Sequence, residues 1–184
     1  MSLGDSYGDG SYGDRSYGDD FGSAVDYETL RGRDYPSIRQ FTVFLENRVG
    51  QLLELTRRFE GSRARIVAVN IADSTECSIV RFVLSHPEQG REVLERAGHA
   101  MIESDLIGVL LPSDRQPLLR ICTALLQAEV NLVSAYPLLV RPGGKSAVAL
   151  MVDNIDLAVQ TLTDKKISMV TEQDLIDALD EDQK

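Results

Sequence analysis

The sequence contains no tryptophan, only two histidines and only two cysteines. Cys77 and Cys122 are far apart, and neither belongs to a CxxC pair or a cysteine–histidine cluster. Disulfide frameworks and zinc sites need several such residues at short, characteristic spacings. We therefore predict two reduced cysteines in apolar surroundings, no disulfide and no metal site.

Long apolar runs and an excess of basic residues are also missing. No segment approaches the roughly 18 apolar residues that cross a bilayer, and the first residues lack the basic and apolar blocks of a secretory signal. The formal net charge is −10; eight acids and three arginines give residues 1–37 a charge of −5, which leaves −5 for the rest. The sequence therefore predicts a cytoplasmic protein that binds neither membrane nor nucleic acid.

No catalytic combination of side chains is visible. The sequence has neither a Walker-type phosphate loop nor a GxSxG motif. His86 precedes Pro87 at a predicted helix start, and His99 follows Gly98 at a predicted helix end, so we interpret them as helix-entry and surface residues. Because no nucleophile, base and orienting group come together, we predict a protein that is not an enzyme and uses no cofactor.

The segment SYGDGSYGDRSYGDD at residues 6–20 is a five-residue repeat. It is rich in glycine and aspartate and has almost no apolar side chains, so it cannot bury enough surface to offset the entropy cost of ordering. We predict a disordered acidic tail and linker over residues 1–37. Two interpretations stay open: a solvated leader, or a linear motif that recruits a partner protein through evenly spaced aromatic residues (Tyr7, Tyr12, Tyr17 and Phe21).

From Ser37 onward, apolar residues recur with the periods of strands and helices. The predicted strands are Ile38–Glu46, Ala64–Ala72, Cys77–Leu84, part of Ala100–Leu111, Val130–Val140, Lys145–Val152 and Ile167–Val170. The predicted helices begin near Val49, at Pro87, near Leu118 and after a cap at Asp153 or Asn154. A capping-box variant at Thr171–Asp174 opens a short terminal helix.

The two halves of this region are copies of one pattern. A shift of 66 residues aligns Leu52 with Leu118, and a shift of 68 aligns Leu94 with Leu162. Each copy has the order βαββαβ, which is typical of a ferredoxin-like sandwich with a four-stranded antiparallel sheet and both helices on one face. We predict an α+β protein with units at residues 38–105 and 106–184 that share a nearly continuous strand. The other face of each sheet needs water, a partner sheet or more helices.

The stretches VFLENRVGQLLELTRRF and ARIVAVNIAD resemble the ACT domain, and residues 38–172 are similar to bacterial tandem-ACT proteins. The family hallmark is an Asn or Asp followed by a Gly between the first strand and the first helix. Asn47-Arg48-Val49-Gly50 matches it, with valine in place of a frequent proline. The resemblance implies a regulatory homo-oligomer, such as a dimer, that binds an amino acid or a similar small ligand where a loop of one unit meets a strand of its neighbour. The ligand-binding residues that it implies are Asn47, Arg48, Val49, Gly50, Gln51 and Leu52.

A glycine at this position has two physical explanations. Free amide N–H groups at a helix start favour an anion, and a residue without Cβ lets a ligand approach the backbone. Alternatively, Gly50 serves tight helix–strand packing and Asn47 caps the helix. In the second half, Gln116 replaces Gly50, and Asp114 would repel a carboxylate unless Arg115 compensates. We therefore predict a ligand site in the first unit and a degenerate one in the second.

Two functions stay open at this stage. One is a sensor whose ligand shifts a packing equilibrium that a partner reads. The other is a structural or assembly module with a vestigial ligand site and a tyrosine-rich tail that recruits a partner. An RNA-binding domain of the same topology ranks last, because strand aromatics are few and the charge is acidic.

Overall fold

The computed structural model of the protein describes residues 36–73 and 77–181, so the predicted tail lies, up to residue 35, outside the described residues. The described part confirms the order βαββαβ in the first half and its repetition in the second. The elements are β1 (Ile38–Glu46), α1 (Gln51–Arg57), β2 (Ile66–Asp73), β3 (Cys77–Leu84), α2 (Pro87–Arg96), β4 (Met101–Leu110), α3 (Pro117–Gln127), β5 (Leu132–Pro137), a 3₁₀ turn (Pro142–Gly144), β6 (Ala147–Val152), α4 (Ile155–Asp164), β7 (Met169–Val170) and α5 (Glu172–Glu181).

The core of the first unit comes from one face of its sheet. Successive side chains of a strand point to opposite faces, and Phe41 and Val43 of β1 are buried against the helices together with Phe82 of β3 and Leu94 of α2. The rings of Phe41 and Phe82 stack with centroids 6.2 Å apart. Each such burial contributes roughly 1.5–3 kcal/mol, so the alternating pattern of β1 fixes which face the helices cover. The second unit has its own helix-facing core, which includes Ile121 and Leu162.

Local caps place the helix starts. Pro87 begins α2, where a missing N–H costs nothing. Asn154, rather than Asp153, caps α4, because its side-chain oxygen accepts a hydrogen bond of 3.1 Å from the N–H of Leu157. The predicted capping box of α5 is present: the N–H of Thr171 donates to the Asp174 carboxylate at 2.8 Å, and the N–H of Asp174 donates to the Thr171 hydroxyl at 3.3 Å.

Strand β4 belongs to both units. Its residues Met101–Leu106 pair antiparallel with β1, and its residues Ile107–Leu110 pair antiparallel with β6, while β7 pairs with it at Gly108 and Val109. The seven strands therefore form one sheet, in the order β2-β3-β1-β4-β6-β5 with β7 beside β4. The segment predicted to end one unit and begin the next is this shared strand.

The helix-free faces of the two half-sheets form a third core together. Ile38 and Val83 from the first unit share a buried cluster with Ala149 and Val170 from the second, and Leu175 of α5 completes it. A partner sheet and a further helix, rather than water, therefore cover much of this face. A buried polar chain crosses the same region: Tyr136 donates to Gln40 Oε1, and Gln40 Nε2 donates to the Ser104 hydroxyl at 2.8 Å.

The predicted strand Val130–Val140 was too long. Strand β5 ends at Pro137, which has no N–H to donate to a ladder. Two residues later, the N–H of Leu139 donates to the carbonyl of Val67 in β2 at 2.8 Å. Between them, the N–H of Leu138 still donates to the carbonyl of Ala147 in β6 at 3.0 Å. This segment therefore contacts both β6 and β2 and fastens the two half-sheets to each other.

Candidate functional site

The residues predicted to bind a ligand form the turn between β1 and α1. β1 ends at Glu46, and α1 begins at Gln51 with Gly50 as its N-cap residue. Gly50 has φ 94° and ψ −13°, in the left-handed region that side chains disfavour. Its carbonyl accepts the first helical hydrogen bond, from the N–H of Glu54 at 2.9 Å. The backbone path of this turn is therefore the immediate reason for a glycine at position 50.

The packing explanation for this glycine is wrong. A Cβ built on Gly50 would meet no described atom within 4 Å, so neither strand nor helix presses against it. Asn47 is not the helix cap, because the N-cap position belongs to Gly50 and α1 has no side-chain cap. The turn is therefore open to solvent on the side where a side chain would stand.

The side chains around the turn are exposed and mixed in character. Val49 is fully exposed, and Leu52 and Leu53 keep 38% and 54% of their surface accessible. Arg48 Nε lies 2.8 Å from Glu46 Oε2, but both side chains are mostly exposed. An exposed ion pair of this kind is worth at most about 1 kcal/mol, so Arg48 can exchange its partner for another carboxylate at small cost.

The six predicted residues are contiguous along the chain, and most of their side chains are exposed. Two cavities lie elsewhere, one between the ends of α1 and α2 and one between α3 and α4. The turn also stands at the far end of β1 from the second unit: Ile38 pairs with Leu106, where β4 passes into that unit, and the turn follows Glu46. Nine strand residues separate these ends by about 30 Å.

The corresponding turn of the second unit has a different backbone. Gln116 precedes α3 with φ −138° and ψ 73°, and Pro117 occupies the first turn of the helix. A residue with that φ needs no glycine. Asp114 pairs with Arg120, whose Nη1 donates to Asp114 Oδ2 at 2.9 Å.

Sequence reasoning missed the cavity at the ends of α1 and α2, which Arg58 and Arg96 line. The signal was present as four arginines within residues 57–65, but the acidic total charge obscured it. Among residues 36–73 and 77–181, no group of three or more His, Cys, Asp or Glu side chains is placed to hold a metal ion. Within the same residues, no helix is long and apolar enough to cross a membrane.

The fold and the turn define a class of protein: two ferredoxin-like units fused through a common strand, with an open glycine turn in the first unit. The family described as ACT domain pair matches residues 36–179, and the chain belongs to that family. No curated protein matches the sequence.

Solved structures share this fold. The crystal structure of protein BT0572 from Bacteroides thetaiotaomicron has a TM-score of 0.70 and 23% identity, over 77% of this chain and 96% of that one. The ligand-free regulatory subunit of aspartate kinase from Thermus thermophilus has a TM-score of 0.51 and 10% identity, over 69% of this chain and 91% of that one. At these identities the likeness concerns the fold alone.

Proposed function

We propose that this protein is a non-enzymatic regulator that binds an amino acid or a similar small ligand at the turn between β1 and α1. Membership of the ACT domain pair family supports a regulatory role. The observation that carries the proposed location is the open, left-handed Gly50 at the start of α1. The proposed ligand-binding residues are Asn47, Arg48, Val49, Gly50, Gln51 and Leu52.

Each part of the turn suits one part of an amino acid. The N–H groups that begin a helix lack helical acceptors, and Gly50 has no side chain that shields those of Leu52 and Leu53. A ligand carboxylate can therefore accept hydrogen bonds from them, with Arg48 as a nearby cation. Because α1 has only seven residues, direct hydrogen bonds contribute more than the helix dipole. Val49 and Leu52 offer apolar contact for the ligand side chain.

An exposed turn needs a second wall to enclose a small molecule. The turn follows the end of β1 that is farther from the second unit, because β1 begins at Ile38 opposite Leu106 and β4 pairs with the second unit from Ile107 onward. A second copy of the chain is therefore the proposed source of that wall, which makes the protein a homodimer with the ligand at the contact between copies. Ligand binding then favours one arrangement of the dimer over another.

A thermal-shift screen with the twenty amino acids tests this function. At about one hundred times its dissociation constant, a ligand raises the unfolding free energy by about 2.7 kcal/mol.

Calorimetry then compares ligand binding by Gly50→Leu with ligand binding by Gly98→Leu. Both glycines have positive φ and open surroundings, so both variants introduce backbone strain, and only Gly50→Leu obstructs the proposed site. We expect the first to lose binding and the second to retain it; equal affinity would remove the site from this turn.

The assembly function is the second candidate, and the surface of α3 favours it. Leu118, Leu119 and Leu126 are 49%, 60% and 76% exposed, which is unusual for three leucines on one helix of a monomer. In this alternative the glycine turn binds nothing. A screen in which none of the amino acids stabilises the protein would support it.

A further inference from the structure

A cavity of about 370 Å³ lies in the first unit between the ends of α1 and α2. Its wall combines the apolar Val93 and Ala97 with the cationic Arg58 and Arg96 and the hydroxyl-bearing Ser62. This volume is at the lower end of the range of small-molecule sites in proteins. The ligand-binding turn proposed above does not contribute to it.

The loop beside this cavity has an unusual charge. Residues 57–65 contain four arginines and one glutamate, a formal charge of +3 in a chain of net charge −10. Within residues 36–73 and 77–181, no carboxylate forms an ion pair with Arg57, Arg58, Arg63 or Arg65. Uncompensated cations concentrated at a cleft attract anions and raise their local concentration.

Hydrogen bonds hold this loop in place. The buried Ser85 donates its N–H to the carbonyl of Arg65 at 3.0 Å, and its hydroxyl accepts from the N–H of Arg65 at 3.1 Å. The hydroxyl of Ser62 accepts from the N–H of Ala64 at 3.0 Å. A backbone fixed in this way needs little further ordering on binding, so the remaining ordering cost is that of the exposed arginine side chains.

The second unit has a cavity of about 260 Å³ at the equivalent place, between α3 and α4. Its cations already have partners. Arg120 donates to Asp114 Oδ2 at 2.9 Å and to the carbonyl of Lys165 at 3.2 Å, and Lys165 Nζ donates to Gln127 Oε1 at 3.1 Å. The repeated fold therefore supplies two similar clefts, and among the described residues Arg58 of the first cleft has no carboxylate within ion-pair distance.

We propose that the first-unit cavity binds a small phosphate-bearing anion. The planar guanidinium of arginine matches two phosphate oxygens at once, and such charge-assisted hydrogen bonds are stronger than neutral ones. Arg58 and Arg96 flank the cleft. Arg96 Nε donates to the carbonyl of Glu92 at 3.2 Å, and Arg96 Nη2 lies 3.7 Å from the Glu92 carboxylate, with both side chains mostly exposed. Glu60 is the one acid in the wall, and its charge opposes the anion.

Arginines near the last turn of a helix also stabilise the helix itself. That role alone would lower the unfolding midpoint on substitution and would produce no anion binding. The two roles therefore separate when binding and unfolding are measured on the same variants of the full chain.

Isothermal titration with inorganic pyrophosphate at low ionic strength tests the proposal. We expect one site per chain. Arg58→Gln with Arg96→Gln weakens the association constant at least about tenfold, since two charge-assisted bonds are lost. Glu60→Gln raises the association constant for pyrophosphate about three- to fivefold, because one opposing charge is removed. The matched control Arg120→Gln with Lys165→Gln leaves this constant unchanged.

Three results would overturn the proposal. The first is that the parent protein shows no binding heat with pyrophosphate. The second is that the control pair of substitutions lowers the affinity as much as the Arg58 and Arg96 pair does. The third is that succinate binds as tightly as pyrophosphate. The last result would replace phosphate by carboxylate as the ligand chemistry. Amino-acid binding at Gly50 is independent of each of them, so the failure of one site does not affect the other.

Discussion

Replacing Gly108 by alanine tests the shared strand directly. Gly108 of β4 pairs with Val170 of β7, and an added Cβ would lie 2.8 Å from Val170 Cβ and 3.1 Å from the Val170 carbonyl oxygen. Opposite Cβ atoms in an antiparallel ladder are normally about 4.5–5.5 Å apart. Strand β7 therefore approaches β4 more closely than two side chains allow, and only a residue without Cβ fits.

The magnitude follows from which atoms must move. Val170 is fully buried, and one of the two close atoms belongs to its backbone, so a rotamer change at Val170 cannot relieve the contact. Overpacking of this kind costs about 1–3 kcal/mol, and the smaller unfolded-state entropy of alanine offsets about 0.4–1 kcal/mol. The net loss is on the order of 1–2 kcal/mol, which lowers the Tm by roughly 2–8 °C for a domain of this size.

Urea unfolding followed by circular dichroism measures this loss. Gly90→Ala is the matched control, because there the close atom is Leu84 Cδ1 at 2.0 Å, the end of a flexible side chain, and alanine favours the helix by about 1 kcal/mol over glycine. We expect the control to change the unfolding free energy by less than Gly108→Ala does. An unfolding midpoint for Gly108→Ala at or above that of the parent would refute the pairing of β7 with β4.

Two further outcomes are expected. Burial raises the pKa of Tyr136 well above its ordinary value, so folding favours the neutral side chain. The unfolding free energy should therefore fall as the pH rises through about 10, where the unfolded tyrosine ionises. Tyr136→Phe should show a smaller fall in urea midpoint between pH 8 and pH 11 than the parent protein. At neutral pH the same variant loses about 1 kcal/mol, because Gln40 Oε1 loses its donor. Asn154→Ala should lower the unfolding free energy by about 1 kcal/mol, since the N–H of Leu157 loses its acceptor, whereas Asn154→Asp should retain most of it.

The sequence predicted those parts of the fold that depend on local pattern. The strand Ile38–Glu46, the proline that opens α2 and the reciprocal cap at Thr171 and Asp174 are all properties of a few neighbouring residues, and each is present in the structure. The longer strand Val130–Val140 was predicted because the apolar residues continue to Val140. Those last residues are not part of β5, and the N–H of Leu139 donates to the carbonyl of Val67 in β2 instead.

Non-local contacts were not readable in the same way. Gln40, Ser104 and Tyr136 join one hydrogen-bonded chain across 96 positions of sequence, and nothing in their own segments marks them. The burial of the two helix-free faces against each other likewise depends on how the two half-sheets meet, which no local pattern of residues indicates. At the candidate site, the pattern indicated that position 50 requires glycine but not why: a positive φ and an open surface are properties of the three-dimensional turn.

The terminal helix α5 is the element on which both units depend. Leu175 is buried in the core that the helix-free faces share, and Glu172 Oε1 accepts from Arg39 Nε of β1 at 3.3 Å. A ligand shifts a conformational equilibrium only by as much as its affinity differs between the two states. Because packed cores change between discrete arrangements rather than deforming continuously, any state that repacks the two half-sheets must break or replace the contacts of α5. Substitutions at Leu175 are therefore expected to change how far a ligand at the proposed first-unit site affects the second unit.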